Sequence, residues 1–461
     1  MPAGLSTSWP ILGSLVLVWI PGDVLSDPVC ESWGGSHDPV VLPTKSAYPE
    51  EQERTVMSYP LSKGKTTKQA HVGIPEGTYE EEHGRKGFYG KSAHLYHAHP
   101  PTGWIRFEGK LRPHCFDLNQ LRPADLDDAE GGPAAFLGND DVRLLVSRRS
   151  EPMPFYFRNA DGDELYFVHR GHGRIETDFG PLAFEPGDYI VLPRAVTYRV
   201  IPETRDNFFL IVQSKTEFEE PEKGLLGQHA LYDPAVVTTP EPEPLLDDRQ
   251  EWEVRILAGG EISKVVYPWN PIDVVGWKGD LTVWKINMRD IRPVMSHRAH
   301  LPPSAHTTFV TSGAVVCSFL PRPLEQDEDA LRVPFFHRNT DYDEFIFYHD
   351  GDFFSKDNIR PGWATLHPRG IHHGPHPKAL ANQKKRTHTD EYAVMLDGLN
   401  PIHVLPGGEA VEWKEYWMSW MEKSAQDAAA ASLNGPNRTP AVSVVRDSEK
   451  KPEKPEPATR P

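Results

Sequence analysis

The sequence predicts a mainly β fold in which one barrel unit occurs twice. Three observations carry that expectation. With 45 prolines and 36 glycines in 461 residues, the chain has the punctuation of short strands joined by tight turns rather than of a helical bundle. The segment F-Y-F-R-N-A-D-G-D-E-L-Y-F-V-H-R-G at 155–171 lies over F-F-H-R-N-T-D-Y-D-E-F-I-F-Y-H-D-G at 335–351, at a constant offset of 180. Further on, P-G-D-Y-I-V-L-P-R-A-V-T-Y at 186–198 lies over P-G-W-A-T-L-H-P-R-G-I-H-H at 361–373, at an offset of 175. Two copies of one strand-and-turn unit mean a duplicated barrel.

Taken in order, the chain opens with an apolar run at residues 9–20 that has no Lys or Arg before Lys45 and is broken by Pro21. It lacks the basic flank of a secretory signal and is too short to span a membrane. Residues 1–56 are therefore expected to be a poorly ordered extension, with Met57 as the working start. Residues 57–150 hold few long apolar runs and many turn residues, so they should drape as loops and short strands over something else. His94, His97 and His99 precede Pro100 and Pro101 with no carboxylate at ligand spacing, and are expected to be loop histidines or an arm reaching a neighbour's site. Residues 154–200 read as strands, with Glu164–Val168 followed by a turn at Gly171 and Gly173. The Pro/Glu-rich stretch 238–249 has linker composition. It divides an N-terminal domain, 57–240, from a C-terminal domain, 241–425, whose strands run from Trp252 to about Val404. Val411, Trp413, Tyr416, Trp417, Trp420 and Met421 form an apolar stripe that predicts a C-terminal helix over 409–424. The Ala-, Pro- and charge-rich residues 426–461 are expected to be a disordered tail.

A hydrophobic content of 38% is enough for a real core. The net charge of −17 excludes nucleic acid and anionic membrane as main partners, since a phosphate binder needs a basic face. Cys30, Cys115 and Cys317 are far apart and form no C-x-x-C, so neither a disulfide framework nor a cysteine zinc site is expected. A reducing, cytoplasmic compartment is the expectation.

The differences between the copies point to the chemistry. Where the second copy has His337 and His373, the first has Phe157 and Tyr198. The barrel manages without these imidazoles, so their presence in the second copy asks for another reason. Two neutral imidazoles and a carboxylate on a rigid β scaffold form the facial triad that holds Fe(II) and leaves positions open. The expected ligands are His337, Glu344 and His373, and only the second copy should hold metal. The carboxylate is chosen by spacing. E-x6-G, then G-x5-P-x-G-x2-H, fits Glu344, Gly351, Gly362, Pro368, Gly370 and His373, the two-part motif of cupins. The chain thus reads as a duplicated cupin-type barrel, a bicupin with a metal-free first copy. Asp343 is the rival ligand, and strand alternation turns only one of the two inward.

With these motifs assembled, the sequence resembles the homogentisate 1,2-dioxygenase family over most of residues 70–405. The specific parts are Y-P-W-N-P-I-D-V-V-G-W-K-G-D at 267–280, S-H-R-A-H-L-P-P-S at 296–304, F-H-R-N-T-D-Y-D-E-F at 336–345 and H-H-G-P-H-P at 372–377. The resemblance implies Fe(II) on His337, Glu344 and His373, and a further active-site histidine at His300 of H-x-x-P-S. It also implies cleavage of homogentisate by O2 to maleylacetoacetate, the ring-opening step of phenylalanine and tyrosine breakdown, in a trimer-based homo-oligomer. An imidazole titrates near neutrality, so His300 is the expected proton-handling residue. His297, His306, His367, His372 and His376 are either orienting partners or ordinary loop histidines. Arg338 and Asn339 recur as Arg158 and Asn159 in the metal-free copy, so they are read as barrel-building. The sequence departs from the family's better-known branch in two ways. The glutamate follows the first histidine by seven residues instead of six, and Phe335, Phe336 and Phe353 stand at tyrosine positions. A cupin oxygenase of another dihydroxyaryl acid such as gentisate, and a bicupin whose metal only staples the barrel, fit the same residues.

Overall fold

The alternation of each repeated strand shows how the two units are joined. On strand Asp163–Arg170, Leu165 and Phe167 enter a large core shared with Phe345 and Phe347 of strand Asp343–Asp352. The intervening Tyr166 and Val168 turn into a second core, and Ile346 and Tyr348 into a third. Both strands are thus buried on both faces, one against their own barrel and one against the other barrel. In this computed structural model the described residues are 61–421, apart from 89, 244–248, 333 and 357. The expected extension over 1–56 and the expected tail over 426–461 lie outside them.

The first unit pairs a seven-stranded sheet, containing Asp188–Leu192, Asp163–Arg170, Phe208–Ser214 and Val142–Ser147, with a six-stranded sheet containing Tyr156–Asn159, Thr197–Pro202 and Gly173–Thr177. Side chains of both sheets, among them Tyr166, Phe209, Ile175 and Val200, fill the space between. The second unit has a six-stranded sheet running Thr307–Val310, Ala314–Phe319, Asp390–Gly398, Asp343–Asp352, Trp363–His367, His114–Asp117. A three-stranded sheet, Phe336–Asn339, Tyr79–Gly84, Ser92–His97, completes it. The fold is mainly β and duplicated, as the repeat predicts. Gly171 and Gly351 have φ of 92° and 98°, and an added Cβ would collide with Asn207 in one copy and the carbonyl of Asp390 in the other. That is why the motif needs glycine there.

The sheets interleave across residue 240. Strand His114–Asp117 joins the second unit, whereas Trp252–Ala258, Glu261–Tyr267 and Trp284–Asn287 join the first. The first half of the linker is also packed: Thr238 bridges Lys285, and Trp277 Nε1 donates to Pro240 O at 3.1 Å.

Two local expectations are corrected. Of the expected helix over 409–424, the described residues, 409–421, do not form one helix. A short helix, Pro406–Val411, stops where Glu412 bridges Phe116, and a 3₁₀ turn follows at Tyr416–Trp420. Glu412 is held there by Arg112 and His114, at 2.8 and 2.6 Å, so tertiary ion pairing overrides the helical period. The second correction concerns His94 and His97. They lie on regular strand Ser92–His97 and face carboxylates of strand Tyr79–Gly84, not an irregular loop without acids. Among the described residues no helix is long and apolar enough to cross a membrane.

At the junction of the units, His169 and His349 meet Nδ1 to Nδ1 at 2.9 Å, one donating and the other accepting. They are repeat equivalents, so the contact sits on the pseudo-twofold axis, where a residue meets its own counterpart. Burial pushes His349 down to about 4, and burial reinforced by His349 pushes His169 well below the ordinary imidazole range. In the unfolded chain both protonate near pH 6.5. The folded chain therefore binds fewer protons than the unfolded chain as pH falls below about 6.5 towards about 4, and stability is lost across that window. We expect the urea midpoint to drop between about pH 7.5 and about pH 5, and the drop to shrink in the His169→Gln/His349→Gln double variant. An equal drop in both chains would show that the pair is not the source.

Candidate active site

His337 lies on strand Phe336–Asn339, and His373 is tied to it by reciprocal backbone hydrogen bonds of 2.9 and 3.0 Å. That bridge brings the two rings to 3.9 Å between centroids. The Nδ1–H of His337 donates to Phe335 O and that of His373 to Ile371 O, each at 3.1 Å. Both imidazoles are thereby set in the tautomer that leaves Nε2 as a lone-pair donor.

Glu344 stands opposite, with Oε2 3.2 Å from His337 Nε2 and 3.4 Å from His373 Nε2. All three side chains are buried, and their ligand atoms lie within 4.8 Å of one another. Burial works to raise Glu344, but the imidazoles around it, His373 foremost, outweigh it and hold the carboxyl well below its usual range. Burial, with repulsion from His337 second, pushes His373 down to about 4. The result is one buried carboxylate facing two imidazole nitrogens. His373 Nε2 is buried and makes no hydrogen bond, which is what a nitrogen reserved for a cation looks like. The donor set fits a borderline divalent metal.

Asp343 turns the other way. Its carboxylate accepts from the backbone and side chain of Arg369, both at 2.9 Å, and from Ile402 N at 2.7 Å. Its counterpart Asp163 accepts from Arg194 N in the first copy, so the aspartate builds the turn. Asn159 and Asn339 do the same, their carbonyls accepting from Ala195 and Gly370. In the first copy Glu164 is kept, but Tyr198 O–H and Gln213 Nε2 donate to it at 2.7 and 2.8 Å, and Phe157 packs edge-on against Tyr198.

Among the other histidines, His367 touches the cluster. Its Nδ1–H donates to Glu344 Oε1 at 2.9 Å and its ring stacks on His373 at 4.6 Å. Tyr416 O–H reaches its Nε2 at 3.4 Å. His372 pairs with Glu81 at 3.1 Å, His376 packs on Trp420, His306 packs edge-on against Phe319, and His297 is exposed. His300 is buried, with Nδ1 3.1 Å from Glu325 Oε1, and it meets Phe335 edge-on. Phe335 in turn meets His337 at 5.6 Å, so one ring separates His300 from the cluster. Burial lowers His300 against the opposing pull of Glu325, which leaves a neutral imidazole with Nε2 as acceptor.

Sequence reasoning missed Glu325, Tyr416 and Lys356. Lys356 Nζ donates to Gly374 O at 3.1 Å, next to His373, and burial lowers it to about 8. None of these has a motif spacing that could have revealed it.

Residues 145–288 match the profile of the homogentisate 1,2-dioxygenase N-terminal family. A Saccharolobus solfataricus protein named "Putative dioxygenase SSO1533" is 30% identical over 359 residues, covering 74% of this chain and 92% of that protein. The chain belongs to the homogentisate 1,2-dioxygenase family. Homogentisate 1,2-dioxygenase of Bradyrhizobium diazoefficiens is 31% identical over 48% of this chain and 51% of its own length. That of Rhodopseudomonas palustris BisB5 is 30% identical over 51% and 54%. The chain therefore spans about half the length of these two relatives. Among solved structures, a cupin 2 conserved barrel domain protein from Leptotrichia buccalis is similar at 12% identity, covering 62% of this chain and 96% of that one, with a TM-score of 0.28. Family membership makes this chain an enzyme of the dioxygenase type.

Proposed function

We propose that the chain is an Fe(II)-dependent ring-cleaving dioxygenase that converts homogentisate and O2 to maleylacetoacetate. The observation that carries this reading is the buried His337–Glu344–His373 cluster, one ring away from the His300–Glu325 pair. Fe(II) held by those three residues would supply the open positions and the electron transfer that join O2 to an aromatic ring.

The chain's own groups do the rest. His300 Nε2 accepts the proton that a ring hydroxyl gives up, because Glu325 fixes its Nδ1–H and burial keeps it uncharged at neutral pH. His367 orients the Glu344 carboxylate, and Tyr416 orients His367. Phe335 forms an apolar wall between the proton acceptor and the cluster. Lys356 is the cation available for the substrate's carboxylate, since it lies beside His373 and stays largely protonated at neutral pH. On the same reading the enzyme is cytoplasmic and works as a trimer-based homo-oligomer on a small aromatic acid.

A panel of homogentisate, gentisate and unsubstituted hydroquinone, assayed under air with Fe(II), tests the choice of ring. Homogentisate should have the highest kcat/KM. Hydroquinone, which lacks the carboxylate, should lose about ten- to a hundredfold through KM, the worth of a charged hydrogen bond. A preference for gentisate would replace homogentisate with that shorter acid.

A further inference from the structure

We propose that His71, Glu82 and His94 form a second divalent-cation site, of the zinc(II) class, beside Phe335, whose ring stacks on His71. The sheet creates the juxtaposition. Glu82 is the register partner of His337 on one side and of His94 on the other, so the three side chains leave one face in a row. His71 closes the group from the preceding loop, with the left-handed backbone φ of 66° that non-glycine residues rarely hold and that clusters at functional positions. Its ring stacks on Phe335 at 4.2 Å, and Phe335 meets His337 edge-on.

The ligand atoms are prepared as at the first cluster. Glu80 accepts from His71 N–H at 3.1 Å and from His71 Nδ1 at 2.5 Å, and is itself held by Tyr96 O–H at 2.9 Å. This carboxylate–histidine contact fixes the tautomer and aims His71 Nε2 at Glu82. His94 Nε2 is buried and has no hydrogen-bond partner among the described residues.

The distances leave room for a cation between the three side chains. Neighbouring histidine–glutamate pairs close to 2.5 Å at His71–Glu80, 2.6 Å at His97–Glu81 and 3.1 Å at His372–Glu81. Both contacts to Glu82 Oε2 stay open, at 3.8 Å from His71 Nε2 and 3.5 Å from His94 Nε2. Two donors each about 2.1 Å from one ion sit roughly 3 to 3.5 Å apart; the His94 contact meets that range, as do His337–Glu344 and His373–Glu344 at 3.2 and 3.4 Å, and the His71 contact would close by a few tenths of an ångström on binding. Two imidazoles and one carboxylate suit zinc(II) or a neighbouring divalent ion with an open position.

The test is metal content of the full-length chain, stripped by chelator, loaded with Zn(II) in a competing chelating buffer and read by mass spectrometry of the eluted metal. Wild type should carry two equivalents. His94→Ala and the isosteric Glu82→Gln should each carry one, Glu344→Gln one, and Glu82→Gln/Glu344→Gln none, with circular dichroism unchanged. A wild type that carries one equivalent, kept by His94→Ala and Glu82→Gln and lost in Glu344→Gln, would overturn this site and leave the proposed function standing. One equivalent lost in His94→Ala but kept in Glu344→Gln would support this site and count against the proposed metal centre at His337, Glu344 and His373.

Discussion

Glu344→Gln is expected to remove the bound iron and to lower ring-cleaving turnover by at least about a thousandfold, the equivalent of several kcal/mol of lost transition-state stabilisation. The substitution keeps the side chain's shape but takes away the one negative charge that the buried His337 and His373 face. Two imidazoles alone, without a carboxylate, are a weak site for Fe(II). The duplicated fold supplies its own control. Glu164 occupies the same barrel position and is also buried, but it is satisfied by Tyr198 and Gln213, and burial raises its pKa. Glu164→Gln should therefore leave iron content and turnover close to wild type. Iron content by plasma emission and initial rates by O2 electrode would check both. Equal losses in the two variants would mean that Glu344 acts through barrel stability and not through metal.

The second large effect is expected at His300. His300→Gln should keep iron at wild-type stoichiometry while kcat falls by about 10²- to 10⁴-fold, the usual contribution of a positioned general base. Glu325→Gln should fall between the two. It removes the group that opposes the burial-induced lowering of His300, so the acid limb of the kcat/KM profile should move to lower pH while the plateau drops. A structural defect would lower the rate without moving the limb. If His300→Gln retained full turnover, proton transfer would have to be assigned elsewhere.

How far these residues could be read from the sequence depends on how local their determinants are. His337, Glu344 and His373 sit at fixed offsets from turn glycines, and Gly351 cannot be replaced because the carbonyl of Asp390 fills the space of its Cβ. Spacing along one short segment is therefore enough to predict that the three lie together, as they do, and the altered first copy shows that the barrel does not need the two imidazoles. Strand alternation left Asp343 and Glu344 as rivals. Arg369 and Ile402 decide between them, and Ile402 is 59 residues away. The cluster at Glu82 was invisible for a stronger reason. It depends on parallel pairing of Tyr79–Gly84 with Phe336–Asn339, and no local period encodes a parallel register across such a separation. The segment 409–424 failed in the opposite sense. Its apolar stripe is genuine, since Tyr416, Trp417, Trp420 and Met421 are all buried, but Arg112 and His114 pull Glu412 into a bridge that breaks the helix.

On the proposed function, one Fe(II), held by His337, Glu344 and His373, makes this chain an oxygenase of homogentisate. The most direct test is to titrate metal-free full-length protein with Fe(II) under anaerobic conditions, add homogentisate, and then admit a measured amount of O2. No O2 uptake is expected without Fe(II). With Fe(II), uptake should be equimolar with the homogentisate consumed, both oxygen atoms should enter the product, and none of this should occur in Glu344→Gln. O2 uptake independent of added Fe(II), or Fe(II)-loaded protein that leaves homogentisate intact, would contradict the proposed function.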